Sequence, residues 1–234
     1  MKIMILNPDY GMTKAELGLR CQILSHFVGP DTQLAMTCLQ KTKVEINSAL
    51  DVVLAGPELV AQALQAELDG FDAVVLYCFS DPALDGCREA VQIPVVGGAQ
   101  AACLTLPFIG RQAGVILADG ARIPEKKLFL QTTGLEAGRL TAFNSIDCHG
   151  LDLWQDRDEV LRRLQEAGQA LIEKQGVQVL ILGCLSFLGL GQPLAAKLQI
   201  PVIDPAVAAV SWAEALVRQQ LKTSQRSYPG RGEF

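Results

Sequence analysis

Short apolar, largely β-branched runs recur along the chain at residues 3–6, 73–76, 95–96, 115–117, 179–182 and 202–203. They are nearly continuous rather than alternating, the pattern of strands covered on both faces of a parallel sheet. Between them, apolar positions return with helical spacing over residues 14–27, 56–68, 82–90, 124–132, 157–174 and 205–221. Strands alternating with helices predict a doubly wound α/β fold whose crossovers are right-handed. Asp81-Pro82 and Asp204-Pro205 each read as an N-cap followed by proline at the first helical position. The helix at 157–174 carries acids early and meets Gly176, which can close it. Gly97-Gly98 reads as a tight loop, and the polar, glycine-bearing tail from Thr223 as a disordered end.

Two stretches repeat one another. Residues 71–96 read FDAVVLYCFSDPALDGCREAVQIPVV, and residues 177–203 read VQVLILGCLSFLGLGQPLAAKLQIPVI. Each is a buried strand leading into a cysteine, then a helix-forming stretch, then a second strand introduced by Gln-Ile-Pro-Val. Cys184 follows Cys78 by 106 positions and Pro201 follows Pro94 by 107, so one residue of slack aligns the copies. Ala113-Gly114-Val115-Ile116-Leu117 echoes the opening Lys2-Ile3-Met4-Ile5-Leu6 and marks where the second copy begins. The duplication predicts two pseudo-symmetric lobes with parallel sheets and an active site in the cleft between them.

Composition narrows the function classes. Of 234 residues, 50% are hydrophobic and 19% charged, which fits a chain with a developed core and excludes disorder. A net charge of −5 offers no footprint for nucleic acid. No apolar run reaches membrane-spanning length, and the apolar opening meets a turn at Asn7-Pro8, too early for a signal peptide. A cytoplasmic location is the expectation. The seven cysteines include no C-x-x-C pair, so neither a zinc site nor a dithiol redox motif is supported.

Most of these cysteines read as small core residues. Cys78 and Cys184 differ, because ligands of open parallel sheets bind beyond the carboxyl ends of the strands, where both fall. A helix N-terminus after Cys78 would favour a thiolate and bind a substrate oxygen; the same holds for Cys184 if its helix begins at Ser186 rather than Gln192-Pro193. Two thiols on opposite faces of a carbon next to a carbonyl can racemise it, since a cysteine pKa of about 8.5 is close enough to neutral to serve as base and acid. Backbone N–H groups in the loops after each cysteine would hold the enolate-like intermediate.

The residues Cys78-Phe79-Ser80-Asp81-Pro82-Ala83-Leu84-Asp85, Ile93-Pro94-Val95-Val96-Gly97, Leu182-Gly183-Cys184 and Pro201-Val202-Ile203-Asp204-Pro205 carry a resemblance over most of the chain. The chain resembles the Asp/Glu/hydantoin racemase superfamily, and within it the hydantoin and allantoin racemase branch. The resemblance implies two-base catalysis by Cys78 and Cys184, no metal or pyridoxal cofactor, and a homo-oligomer. It also implies that residues 1–98 plus 205–234 form lobe I and residues 99–204 lobe II. The substrate implied is a small cyclic ureide, a 5-substituted hydantoin or allantoin. Asn7, Ser80 and Ser186 would hold its carbonyl oxygens, and Phe79 and Leu185 would shape the pocket. Departures from the family pattern at Asp9, Tyr10, Ala118 and Leu185 alter the lining and leave the two thiols in place.

Two alternatives remain open. One is an amino-acid racemase or maleate-type isomerase on the same scaffold, which would want a cation in the cleft; Arg88 and Arg122 are the candidates and read more simply as solvated helix residues. The other is a non-catalytic ligand-binding relative. Gly189-Leu190-Gly191 lacks the third glycine of a dinucleotide fingerprint, and Cys148-His149 are adjacent and so poorly placed to converge.

Overall fold

The computed structural model describes residues 1–132 and 139–230. It contains two four-stranded parallel sheets. The first unit comprises Met1–Gly98 with Ala209–Phe234, and the second Ala99–Ala208. The first unit runs β1 (Lys2–Tyr10), α1 (Lys14–Ser25), β2 (Gln33–Leu39), α2 (Ala49–Leu68), β3 (Ala73–Leu76), α3 (Leu84–Ala90) and β4 (Val95–Gly97). After α4 (Gly98–Ile109) come β5 (Ala113–Leu117), α5 (Ile123–Thr132), β6 (Leu140–Ser145), α6 (Arg157–Gln175), β7 (Val179–Leu182), α7 (Gly191–Leu198) and β8 (Val202–Ile203). The last helix, α8 (Pro205–Arg218), crosses the unit boundary.

The strand orders are β2-β1-β3-β4 and β6-β5-β7-β8, the same topology twice. Duplication in the sequence is thus duplication in the fold. In the first sheet Ile3 to Leu6 pair in register with Ala73 to Leu76; in the second, Ala113 to Ile116 pair with Val179 to Leu182. Of these interior strands β3, β5 and β7 are wholly buried, which is why they read as continuous apolar runs, while β1 is exposed at Lys2 and Tyr10 and half-buried at Met4. Each sheet has its own core. Leu6, Leu59, Val74, Leu76 and Cys87 belong to the first, and Ile116, Leu164, Leu180, Leu182 and Phe187 to the second.

Several expectations are corrected. Gly97-Gly98 is not a loop: Gly97 ends β4 and Gly98 opens α4. A Cβ on Gly97 would lie 2.4–2.6 Å from the Asp81 carboxyl atoms, so the position needs glycine for close approach. Arg88 is not solvated. Its Nη2 donates to Val95 O at 3.0 Å, its Nη1 to the Tyr228 hydroxyl at 3.3 Å, and its guanidinium lies 5.5 Å from the Tyr228 ring centroid. Arg122 is likewise paired, with Glu125 at 2.8 Å.

The tail is therefore ordered at least through Tyr228. Thr223 donates to Gln92 O and Ile93 O, both at 2.9 Å, so it docks beside the entry to β4. The last four residues of that segment, 231–234, lie outside the described residues. Glu214 of α8 accepts from Gly29 N at 2.9 Å and from the Thr32 hydroxyl at 2.5 Å, which fixes this helix to the α1–β2 turn. Among the described residues no helix is long and apolar enough to cross a membrane.

Candidate active site

Both cysteines stand at the same structural address. β3 ends at Leu76 and β7 at Leu182, and in each unit the cysteine follows two residues later. The intervening residue bonds to the neighbouring strand in both cases: Tyr77 N donates to Leu6 O at 2.8 Å, and Gly183 N to Ile116 O at 2.7 Å. This bond extends the ladder by one residue and directs the chain off the sheet at its carboxyl edge, where α/β folds bind ligands. Gly183 must be glycine, because a Cβ there would lie 2.4 Å from Leu117 Cδ2 and 2.9 Å from Ile116 O. Cys78 and Cys184 are half-buried.

Cys87 shows the contrast. It is fully enclosed on α3, and burial pushes its thiol up to about 12. Burial also raises the Cys21 and Cys148 thiols.

The loop after Cys78 is a tight turn. Asp81 N donates to Cys78 O at 3.3 Å and Leu84 N to Asp81 O at 3.2 Å. Asp81 and Ala83 both adopt left-handed backbone, with φ of 43° and 56°. The N-cap expected at Asp81 is displaced: α3 begins at Leu84, its N-cap position is Ala83, and no side chain caps it. The Asp81 carboxylate packs over Gly97 instead. α3 has only seven residues and starts six positions past the thiol, so no helix opens directly after Cys78 as the sequence reading expected. Phe79 and Ser80 are buried behind the cysteine, at 3% and 7% exposure.

After Cys184 the chain makes a single 3-10 turn over Leu185–Phe187, and α7 starts only at Gly191. The observed start lies at Gln192-Pro193 to within a residue and not at Ser186, so the helix-dipole argument for this thiol falls. Leu185 is buried at 2% exposure, while Ser186 is half-buried. Arg157, the first residue of α6, donates from Nη1 to Leu153 O at 3.2 Å and Ser186 O at 3.1 Å, and from Nη2 to Leu188 O. Asp204 Oδ2 accepts from Gly189 N at 3.0 Å, and its Oδ1 accepts from Ala206 N at 3.0 Å. Here the expected N-cap holds, and the same carboxylate reaches the cysteine loop as well. Burial pushes the Asp204 carboxyl up, against the pull of the three amides and Arg157.

Asn7 lies within β1, paired with Cys38 just before the register shift that precedes Tyr10, and is buried at 2% exposure. Its Oδ1 accepts from Asp9 N at 3.0 Å and its Nδ2 meets Met12 Sδ at 2.8 Å, so its amide organises its own loop. Burial raises the Asp9 carboxyl despite a hydrogen bond from Ile46 N at 3.1 Å and the nearby Arg20.

Sequence reasoning missed Arg157 as a residue of the cysteine loop. One signal was available. A cation in the first helical turn opposes the helix dipole, so an arginine opening α6 ahead of Asp158 and Glu159 points to a task outside the helix. Among the described residues no cluster of three or more His, Cys, Asp or Glu could hold a metal ion.

Residues 20–213 match the family model described as Asp/Glu/Hydantoin racemase. The chain is 28% identical to a hydantoin racemase of Paenarthrobacter aurescens over 229 residues, 96% of this chain and 94% of the relative. It is 28% identical to a second, from Pseudomonas sp. (strain NS671), over 244 residues covering 100% and 94%. Among solved structures, an allantoin racemase from Klebsiella pneumoniae superposes with a TM-score of 0.91 at 25% identity, over 100% of this chain and 94% of that one. Because the family match spans most of the chain and takes in both cysteine loops, the chain belongs to the Asp/Glu/hydantoin racemase family.

Proposed function

We propose that this protein is a cofactor-independent racemase of a small cyclic ureide, a 5-substituted hydantoin or allantoin, with Cys78 and Cys184 as its acid–base pair. The observation that carries the reading is the repeated address of the thiols: each is half-buried, two residues past an interior strand, at the sheet edge where ligands bind. The hydantoin and allantoin racemases among its relatives support the substrate class.

In the forward direction one cysteine, as thiolate, removes the proton from the stereogenic carbon. The electron pair of that C–H bond moves onto the adjacent carbonyl oxygen as an enolate. The other cysteine, as thiol, then delivers a proton to the opposite face, so the two exchange protonation states and no other group is consumed. The reverse direction swaps their roles. Ser80 and Ser186, with backbone N–H groups of the two loops, hold the carbonyl oxygens as charge develops. Asn7 shapes its own stretch of the chain through Asp9 and Met12, and Phe79 and Leu185 form the apolar backing of the thiols. Self-association accompanies this reading; its support is the apolar face of α2, where Leu50, Val53 and Leu54 are 65%, 70% and 46% exposed.

The test uses both enantiomers of allantoin and of 5-benzylhydantoin, followed by polarimetry and by deuterium incorporation in heavy water. Cys78→Ala and Cys184→Ala should each lower racemisation by about 10²–10⁴-fold, the range for losing a positioned acid or base. A parental rate in either variant would refute the two-thiol mechanism.

A further inference from the structure

We infer that Arg157 and Asp204 together clamp the loop that carries Cys184 and are positioning residues for that thiol. The inference rests on the racemase reading for its catalytic consequence, but the clamp itself is read from contacts. The segment at residues 185–189 is held by two charged side chains that come from outside it. Arg157, at the start of α6, takes the carbonyls of Ser186 and Leu188; Asp204, between β8 and α8, takes the N–H of Gly189. Acceptors on one side and a donor on the other are thus fixed from opposite directions in the chain.

Further contacts make both partners rigid. The Arg157 guanidinium also holds Leu153 O and lies 4.9 Å from the Trp154 ring centroid. Asp204 is anchored by Ala206 N at 3.0 Å and Val207 N at 3.4 Å. Gly191 allows close approach on the far side, since a Cβ there would lie 3.3 Å from Asp204 Cβ. Within the loop, Phe187 N donates to Cys184 O at 3.2 Å, so the cysteine's own backbone is tied to the clamped turn.

Apolar burial already secures this loop coarsely, because Leu185, Phe187 and Leu188 are at 2%, 0% and 0% exposure. Charged groups withdrawn from water carry a desolvation cost that well-packed apolar residues would not. What the pair adds is direction. A planar guanidinium fork holds two loop carbonyls in a fixed relation, which a lysine's point charge does not reproduce. Racemisation needs a thiol aimed at one carbon, and an error of about 1 Å in such a group lowers turnover roughly a hundredfold.

The experiment uses the full chain with Arg157→Met, Arg157→Lys and Asp204→Asn. Site-resolved alkylation by iodoacetamide, read by mass spectrometry, is expected to change the Cys184 rate severalfold while leaving Cys78 near its parental rate. With allantoin or 5-benzylhydantoin, kcat should fall by about a hundredfold in Arg157→Met with KM little moved. In heavy water, proton exchange with retention should persist from the enantiomer that Cys78 deprotonates. Arg157→Lys should restore stability more than turnover. If Arg157→Met does not fold, Arg157→Lys and Asp204→Asn decide the matter by the same readouts. Unchanged Cys184 alkylation and turnover in folded variants overturns the clamp, as does an equal change at both thiols that follows the melting temperature. If the parent racemises neither compound, the racemase reading fails, and the alkylation arm still decides whether the clamp sets the Cys184 environment.

Discussion

The two cysteine loops solve one problem with the same parts exchanged. In the alignment that superimposes Pro94 on Pro201, Gly97 at the end of β4 corresponds to Asp204 at the end of β8. In the first unit the carboxylate belongs to the cysteine loop, as Asp81, and the strand end supplies the glycine it packs on. In the second unit the strand end supplies the carboxylate, to which Gly189 of the cysteine loop donates its N–H and for which Gly191 makes room. Either way a carboxylate joins the thiol's loop to the next strand. The consequence for the backbone differs. The first loop places two non-glycine residues in left-handed conformation, whereas the second uses Gly189, at φ 83°, and adds Arg157. One loop is held under backbone strain, the other by charge.

The largest expected effect breaks the first arrangement. Gly97→Ala would thrust a methyl carbon to 2.4–2.6 Å from the Asp81 carboxyl, which is buried and cannot swing aside. Destabilisation of about 3 kcal/mol follows from overpacking at such a site. In Gly191→Ala, by contrast, the nearest atoms are Asp204 Cβ at 3.3 Å and Val202 O at 3.8 Å. Relief of glycine's helix penalty offsets that tight contact, so the change stays under about 1 kcal/mol. Urea denaturation midpoints measure both. Equal costs would show that the exchange of carboxylate and glycine has no mechanical meaning.

A smaller effect compares the left-handed positions. Ala83 and Gly189 are equivalent under the 106-residue offset, and both have positive φ. Gly189→Ala should cost about 1–2 kcal/mol, the penalty for an L side chain there. Ala83→Gly removes that penalty, but it also loosens the unfolded chain and removes the Cβ that lies 3.5 Å from the Cβ site of Gly56. A net gain of at most about 0.5 kcal/mol is expected. A large loss in Ala83→Gly would mean that the first loop is held by the Ala83 methyl contact and is not strained.

Much of this architecture was legible in the sequence because interior strands announce themselves. The edge strands β2 and β6 were not, since each mixes polar residues into a partly exposed face, unlike the short apolar edge strands β4 and β8. The helix α4 escaped because it opens on the Gly97-Gly98 pair that reads as a turn and contains Pro107. Both thiols stood out as strand-ending cysteines in a repeated context. The groups that hold their loops did not, because Arg157 to Leu188 and Asp81 to Gly97 are contacts between separate elements, which no local spacing encodes. The Asp81-Pro82 cap misled for a similar reason: the carboxylate went to a tertiary neighbour, and the helix began two residues late.

The smallest effect separates a carboxylate whose desolvation outweighs its hydrogen bonds from one whose hydrogen bonds win. Glu58 in the first unit accepts from the amides of Gln40, Lys41 and Thr42 at 2.6, 3.1 and 2.7 Å, which holds its carboxyl below the ordinary value despite opposing desolvation. Asp204 also accepts three amides, yet burial dominates and its carboxyl is raised above 3.8. The signs of linkage are therefore opposite. Stability from Glu58 is present above the unfolded glutamate pKa of about 4.3 and is lost as pH falls through the lower folded value. For Asp204 the contribution is complete below the unfolded aspartate pKa of about 3.9 and is lost as pH rises through the higher folded value. Relative to the parent, Asp204→Asn should gain melting temperature as pH rises above about 4, while Glu58→Gln should gain it as pH falls below about 4. Matching slopes in the two variants would mean that water reaches Asp204 as freely as it reaches Glu58, and the charged clamp on the second loop would then be no more than a surface contact.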